Sequence, residues 1–267
     1  MTMHTLTWAA AQATGNAHIA EALPLQDAKA LRLIEGADGH TWVAAAVADG
    51  AGSAPLADLG ARAASAAFVS AVSSAVKVLP KPDLVRIAFN AVATARIVLN
   101  RLAKARKVPV GDLATTLLGC ITRGEETIVV QIGDGAIIVG PPWRVALHPQ
   151  RGEYANTTMF LTEPDWREHI EIGVITEAVG TVVLVTDGIE ELVVSPARLE
   201  PHSAFFEYLS EGLRTSLAEV RERREASGVS AWLRGFLESP AVRSRTDDDK
   251  SIIAIQLQGE DHVDCHP

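Results

Sequence analysis

The sequence TVVLVTDG at residues 181–188 is the most informative stretch of this chain. It is an apolar, β-branched run that ends on Asp187-Gly188. Strands that are buried on both faces of a sheet read as continuous apolar runs of this kind. A carboxylate that directly follows such a strand lies where the core meets the solvent. Asp187 is therefore a candidate functional group at the end of a buried strand.

Two other stretches repeat this pattern. TWVAAAVADG at residues 41–50 ends on Asp49-Gly50, and TIVVQIGDG at residues 127–135 ends on Asp134-Gly135. A fourth acidic group, residues 247–249, comes just before the apolar run IIAIQL. Several such strand ends, brought together, form an oxygen-rich pocket that suits hard divalent cations such as Mg²⁺ or Mn²⁺. The pattern predicts metal-assisted chemistry on a phosphate.

The simplest alternative is that each Asp-Gly is only a turn, because this dipeptide is a common hairpin connection. A single example would be interpreted in that way. After Asp49-Gly50 and Asp187-Gly188, however, the chain enters helix-compatible sequence and not a second strand at hairpin spacing. The repetition therefore favours the metal interpretation.

The composition is that of a folded protein with a substantial core. Of the 267 residues 48% are hydrophobic and 21% are charged. No apolar run reaches the ~18 residues that span a bilayer, and the N-terminus has no secretory signal pattern. Cys120 and Cys265 make neither a zinc pattern nor a disulfide framework. The net charge of −9 argues against binding to nucleic acid. We expect a cytoplasmic protein without membrane or nucleic-acid partners.

The order of elements predicts a single α+β domain over residues 1–267, in which helices cover a largely antiparallel β-sandwich. After a polar lead, strands are expected at 41–48, 114–122, 127–132, 181–185 and 251–257. Helices are expected at 55–78 and after the N-cap Asp83. Periodicity disappears between residues 148 and 170, which predicts a long functional loop, here called the flap. Residues 259–267 read as a tail.

At the level of motifs the chain resembles the metal-dependent Ser/Thr protein phosphatases of the 2C type. The resemblance covers about residues 15 to 258, and it implies a four-layer α-β-β-α sandwich with two mainly antiparallel sheets. The segments that carry it are QDA (26–28), ADGAGS (48–53), TTLL (115–118), GDG (133–135), TDGIEE (186–191) and DDKS (248–251).

The resemblance also implies a metal centre. Asp49 would bridge two Mn²⁺ or Mg²⁺ ions together with a shared water, Asp187 and Asp248 would complete one site, and the Gly50 carbonyl would serve the other. In this interpretation Asp49, Asp187 and Asp248 act in catalysis through metal-bound water. Further candidate ligands, some of them for a weak third site, are Asp27, Asp134, Glu191 and Asp249.

Two positions depart from the family pattern. Gln26 stands where the family usually has Glu or Asn, so one carboxylate of the second metal site is replaced by an amide. Ala22 stands where the family often has a phosphate-binding Arg. The phosphate-binding residue therefore stays unidentified. The basic residues that could take its place are His18, Arg32 and Arg62, although residues of these types are more commonly surface or capping groups.

The resemblance implies that the chain hydrolyses phosphoserine or phosphothreonine in proteins, with a Ser/Thr kinase or its target as a further partner. A pseudophosphatase that serves as a regulatory binding module is the main alternative, motivated by the missing Arg. A hydrolase of small phosphate esters is a third interpretation. Retention of Asp49, Asp187 and Asp248 favours an enzyme, because clustered charges are costly to keep in a pure scaffold.

Overall fold

The computed structural model describes residues 5–124, 126–147, 150, 158–219 and 224–258. The strands in it are β1 (Thr5–Ala13), β2 (Ala28–Glu35), β3 (Thr41–Ala48), β4 (Leu117–Thr122), β5 (Thr127–Ile132), β6 (Ala136–Gly140), β7 (Arg144–Leu147), β8 (Glu171–Ile175), β9 (Thr181–Val185), β10 (Val194–Ser195), β11 (Glu200–Pro201), β12 (Arg224–Glu225) and β13 (Lys250–Gln258). The helices are α1 (Asn16–Glu21), α2 (Ala57–Val76), α3 (Leu84–Arg106), α4 (Asp187–Val193), α5 (Ser203–Glu219), α6 (Ser227–Leu237) and α7 (Pro240–Arg243), with a 3₁₀ turn at Val110–Leu113.

The first sheet has the order β2-β3-β4-β5-β8, and every neighbouring pair is antiparallel. Its hairpin of β4 and β5 pairs Leu117 with Ile132 and Thr122 with Thr127, as the sequence predicts. Every residue of β4 and β5 is buried, which explains their continuous apolar sequence. The ends of β3 and β5, which are followed by Asp49 and Asp134, therefore lie at the same end of this sheet.

The second sheet has the order β12-β1-β13-β9-β6-β7. Its centre is the antiparallel pair of β13 and β9, in which Ile252 lies opposite Val185. The two sheets pack face to face through a buried aliphatic cluster that includes Val43, Leu118 and Ile253. Asp187 follows β9 at the end of this sheet where β13 begins. The carboxylates of both sheets are thus brought to one end of the sandwich.

Helices cover both outer faces, which confirms the predicted α+β sandwich. Helices α2 and α3 pack on the first sheet, and α5 and α6 pack on the second. Asp83 caps α3 as expected, because its side chain accepts a hydrogen bond from the Arg86 backbone N–H at 3.1 Å. Helix α2 is long and apolar enough to cross a membrane, but half of its most apolar window is buried against α3 and the first sheet.

Two strands, β1 and β2, lie in the part of the sequence that reads as a polar lead. β1 is rich in alanine, a residue that favours helices, and it becomes a strand because it pairs with β13 over nine residues. Two boundaries also differ: the helix predicted at 55–78 spans Ala57–Val76, and the strand predicted at 114–122 begins at Leu117.

The described part of the flap, residues 158–170, is packed onto the protein. The Leu161 N–H donates to the Thr115 carbonyl at 2.8 Å, and Thr158 Oγ1 donates to Asp134 Oδ2 at 2.6 Å. Leu161 and Trp166 are buried in the core between the first sheet and its helices. Flap residues 148, 149 and 151–157 and the predicted tail at 259–267 lie outside the described residues.

Candidate metal centre

Three of the predicted carboxylates meet at one point. Asp49, Asp134 and Asp187 each offer a carboxylate oxygen, and these oxygens lie within 4.8 Å of one another. Asp49 follows β3 of the first sheet, Asp187 opens α4 after β9 of the second, and Asp134 lies in the turn that crosses from β5 to β6. The site is therefore built from both sheets, and it depends on their packing.

The backbone of Asp49 is fixed by the two threonines of the TTLL segment. The Asp49 N–H donates to Thr116 Oγ1 at 2.9 Å, and the Thr116 N–H donates back to the Asp49 carbonyl at 2.8 Å. Thr115 Oγ1 also donates to that carbonyl, at 2.9 Å. These contacts use the main chain of Asp49, so its carboxylate is positioned without a hydrogen bond to either threonine.

Gly50 lies where only a glycine fits. A Cβ at this position would be 2.7 Å from the Ala57 carbonyl carbon and 2.8 Å from the Gln26 carbonyl oxygen. The Asp49-Gly50 dipeptide is therefore required by close packing against two other segments and not by a hairpin turn. This finding removes the turn interpretation for this Asp-Gly.

Buried oxygens without donors show that the site fits a cation. Among the residues that the structure describes, Gln26 Oε1, Asp27 Oδ1 and Asp187 Oδ1 are buried and accept no hydrogen bond. The second oxygen of Asp27 accepts from Thr186 Oγ1 at 2.8 Å, which orients that side chain. Buried polar atoms are normally satisfied, so a cluster of unsatisfied oxygens suits a ligand that accepts lone pairs. A hard divalent ion is such a ligand.

The raised pKa values of the carboxyl groups in the site also favour a bound cation. Burial, followed by the nearby charges of Asp134, Asp248 and Asp27, raises the pKa of Asp187 to about 8. Burial also raises the pKa of Asp27 to about 6, and burial with the charges of Asp27 and Asp187 raises that of Asp49 well above its usual value. Crowded carboxyls that resist ionisation would ionise readily beside a cation.

The neighbours Asp248 and Asp249 differ in burial and in hydrogen bonding. Asp249 is buried, and its carboxylate accepts from the backbone N–H of Gly15 at 2.7 Å and of Gln26 at 2.6 Å, with His18 Nδ1 at 2.8 Å. Asp248 is exposed, and its charge raises the pKa of Asp187. Asp249 therefore ties the N-terminal segment to β13, and we leave it out of the proposed ligands. Asp248 is not among the carboxylates whose oxygens converge, so its role as a metal ligand stays a prediction.

Glu191 lies on α4 one turn beyond Asp187 but is exposed, and its carboxylate is not among the oxygens that converge. Its neighbour Glu190 is buried, with 2% exposure, on the same short helix. The burial of Glu190 was not predicted from the sequence, in which the apolar residues Ile189 and Leu192 on either side of Glu190-Glu191 are the available signal. We therefore omit Glu191 from the ligand set that we propose.

The candidates to replace the missing Arg are in different places. Ala22 is exposed and ends α1 in the left-handed conformation, with φ of 54°. Arg62 pairs with Asp58 on α2, and Arg32 is an exposed residue of β2. His18 is bound to Asp249 beside the site. None of the three is placed on the converging carboxylates by a described contact.

Comparison with known proteins agrees with this geometry. The sequence profile of the family described as Protein phosphatase 2C matches residues 14–238. The chain is 35% identical over 254 residues to Serine/threonine-protein phosphatase 3 of Escherichia coli (strain K12), an alignment that covers 94% of this chain and 97% of that protein.

Solved structures share the fold at low sequence identity. The catalytic domain of the serine threonine protein phosphatase PstP, solved in complex with two manganese ions, superposes with a TM-score of 0.59 at 16% identity, covering 96% of this chain and 100% of that one. RsbX in complex with magnesium gives a TM-score of 0.51 at 14% identity, covering 97% and 98%. Sequence profile, curated relative and sandwich fold agree: the chain belongs to the protein phosphatase 2C family.

Proposed function

We propose that this protein hydrolyses phosphoserine and phosphothreonine in proteins, using two Mn²⁺ or Mg²⁺ ions. The ligands that we propose are Asp49, Asp187 and Asp248 with the Gly50 carbonyl, while Asp27 supports the site. Asp134 would contribute to a weaker third site together with Asp187. The observation that carries the proposal is the convergence of Asp49, Asp134 and Asp187 beside buried oxygens that lack donors.

Bound divalent ions would lower the pKa of a water molecule and neutralise charge on the phosphoryl group. The residues of the chain itself prepare the site for them. Thr115 and Thr116 fix the main chain of Asp49, and Thr186 orients Asp27. Asp249 holds the backbone of Gln26, which places the adjacent Asp27 at the site.

A cysteine nucleophile does not compete with this mechanism in the described part of the chain. Cys120 is buried in β4, and burial raises the pKa of its thiol to about 12. A thiol with so high a pKa forms almost no thiolate at neutral pH, so it is a poor nucleophile. The chemistry is therefore assigned to the carboxylate site.

Partners and location follow as part of the proposal. A phosphatase of this family takes a phosphoprotein as substrate, and we propose that a Ser/Thr kinase or its target supplies it. We further propose a single domain that works in the cytoplasm, supported by the low cysteine content and the acidic surface.

The decisive experiment measures phosphate release from a phosphothreonine peptide during titration with Mn²⁺ and with Mg²⁺. Asp187→Asn should abolish turnover. Asp165→Asn removes one flap carboxylate that lies outside the site, and it serves as the matched control with activity retained. Absence of metal-dependent release from the wild-type protein would contradict the proposal. Turnover of a small aryl phosphate but of no phosphopeptide would favour a hydrolase of small esters.

A further inference from the structure

Two arginines come together where the flap packs on α3. Arg96 of α3 donates from Nη1 to the Leu161 carbonyl at 3.2 Å. The guanidinium of Arg167 lies over the Trp166 ring, with its central carbon 4.5 Å from the ring centroid. Burial, and after it the nearby charge of Arg167, lowers the pKa of Arg96. Two positive charges therefore occupy one small region of surface.

The packing around them holds both side chains in place. Trp166 is 3% exposed and stacks on Phe89, with ring centroids 6.2 Å apart. Phe89 lies two helical turns before Arg96, on the same side of α3. Arg96 is half-buried, and Arg167 is restrained by the indole ring beneath it. A binding group that is held in this way loses little conformational entropy when it meets a ligand.

No carboxylate among the described residues pairs with these two cations. Within the ranges that the structure describes, neither guanidinium has a carboxylate within 4.0 Å. Two flap acids, Glu163 and Asp165, group with His169, and Asp165 lies 3.3 Å from the His169 ring. Burial and the charge of Arg167 lower the pKa of Arg96, and no anion opposes them. In a chain of net charge −9, this arrangement needs an explanation.

The arginine pair is connected to the metal centre by hydrogen bonds. Arg96 holds the Leu161 carbonyl, the Leu161 N–H donates to the Thr115 carbonyl, and Thr115 Oγ1 donates to the Asp49 carbonyl. An extended peptide advances about 3.3 Å per residue. The arginines are therefore tied to the segment that holds Asp49, and an extended substrate that followed the flap away from the metal centre would meet them.

We propose that Arg96 and Arg167 bind an anionic side chain of the substrate, a few residues from the phosphoserine or phosphothreonine that reacts. The subsite depends on the proposed phosphatase function. Guanidinium groups recognise carboxylate and phosphate alike, so the anion is an aspartate, a glutamate or a second phosphoresidue. The pair replaces the affinity that the Arg missing at position 22 does not provide.

The test is a series of phosphothreonine peptides that are neutral except for one Asp, moved through the four positions on each side. Wild-type protein should show a KM about tenfold lower for Asp at one or two positions, with little change in kcat, and this gain should fade in high salt. Arg167→Gln should reduce the preference two- to fivefold, and Arg96→Gln should nearly remove it. Arg101→Gln, an exposed arginine of the same helix, should keep it.

Exchanging the charges of protein and peptide provides a sharper test of the subsite. Arg167→Glu should prefer a peptide with Lys at the position where wild-type protein prefers Asp, because attraction is restored with opposite signs. Peptides that carry a non-hydrolysable phosphonate analogue of phosphoserine in place of Asp distinguish the two anion sources, and the stronger preference identifies the natural one. Arg167 is exposed, so its variants should fold. Circular dichroism checks the fold of these variants and of Arg96→Gln.

Two results would overturn the subsite and leave the proposed function intact or untouched. If wild-type protein hydrolyses all peptides with equal KM, the phosphatase function stands and the subsite does not exist. If it prefers Asp but Arg167→Gln and Arg96→Gln keep that preference, another group binds the anion. Absence of metal-dependent release from any peptide would instead overturn the proposed function, and the subsite with it.

Discussion

Asp248 and Asp249 are adjacent in sequence but perform different tasks. The side chain of Asp249 satisfies two backbone N–H groups and one imidazole at a buried position, whereas Asp248 stays exposed near the carboxylates of the site. The family motif makes Asp248 a metal ligand and leaves Asp249 as a further candidate, without indicating what Asp249 does. The difference arises because β13 begins beside the Gly15–Gln26 segment, and only one of the two side chains can face that segment.

Removal of the two carboxylates should therefore have unequal effects. Asp249→Ala leaves two buried backbone donors and the partly buried His18 ring without their partner and should lower the free energy of unfolding by about 3 kcal/mol or more, since hydrogen bonds to a charged group contribute about 1.5–3 kcal/mol each. Asp248→Ala should change it by less than about 1 kcal/mol. Urea unfolding in EDTA measures both. Equal losses would contradict the distinction.

Asp187 should make the metal-free protein less stable as pH rises. Its folded-state pKa is about 8, raised from 3.8, so its stabilising contribution is present below about pH 4 and is lost as pH rises through 8. Asp187→Asn removes this titration. In EDTA its melting temperature should exceed that of wild-type protein more at pH 9 than at pH 5. A difference in melting temperature that does not change with pH would contradict the crowding of carboxylates around Asp187.

Gln26 brings a neutral oxygen to a position where the family usually has a carboxylate. Its Oε1 is buried and accepts no hydrogen bond from the described residues. Gln26→Glu adds a negative charge that a cation can neutralise, so calorimetric titration should show Mn²⁺ binding about tenfold tighter. The metal-free variant should also melt at a lower temperature, because the new charge would be buried. Unchanged affinity would place Gln26 outside the metal centre.

At the scale of elements, strands with continuous apolar sequence could be predicted and strands with mixed sequence could not. β3, β5 and β9 are buried on both faces, so their sequences carry the signal. β2 has an exposed face and a mixed pattern, and β1 is alanine-rich, so tertiary pairing decides both. The flap shows the same limit: its lack of periodicity predicts a loop, but not the packing of Trp166 against Phe89.

The close approach of α2 to the 3₁₀ turn at Val110–Leu113 gives an element-scale prediction. A Cβ on Gly60 of α2 would lie 2.3 Å from the Leu113 carbonyl oxygen, whereas one on Gly235 of α6 meets nothing within 4 Å. Gly60→Ala should cost about 1–3 kcal/mol, because helix and turn must separate. Gly235→Ala should stabilise by about 0.5–1 kcal/mol through helix propensity. Chemical denaturation that gave both changes the same sign would contradict this packing.

At the scale of the whole molecule, the candidate site is a product of sheet packing. Asp49, Asp134 and Asp187 could be predicted because each follows a recognisable buried strand, and the family resemblance supplied their common purpose. Their distances could not be predicted, because they depend on how the two sheets meet. Arg96 and Arg167 carry no sequence signal at all, since a helix and a loop separated by about seventy residues bring them together only in the folded chain.

Anomalous diffraction from crystals grown with Mn²⁺ would locate the metal ions of the proposed centre. Two strong peaks should lie about 3.5–4 Å apart, with Asp49 between them and Asp187 and Asp248 on one of the ions. A third, weaker peak should lie near Asp134. The cluster of Glu163, Asp165 and His169 provides an internal comparison, because it also groups carboxylates but is not part of the proposed centre. Manganese bound only at that cluster, with Asp49 and Asp187 without metal, would contradict the account.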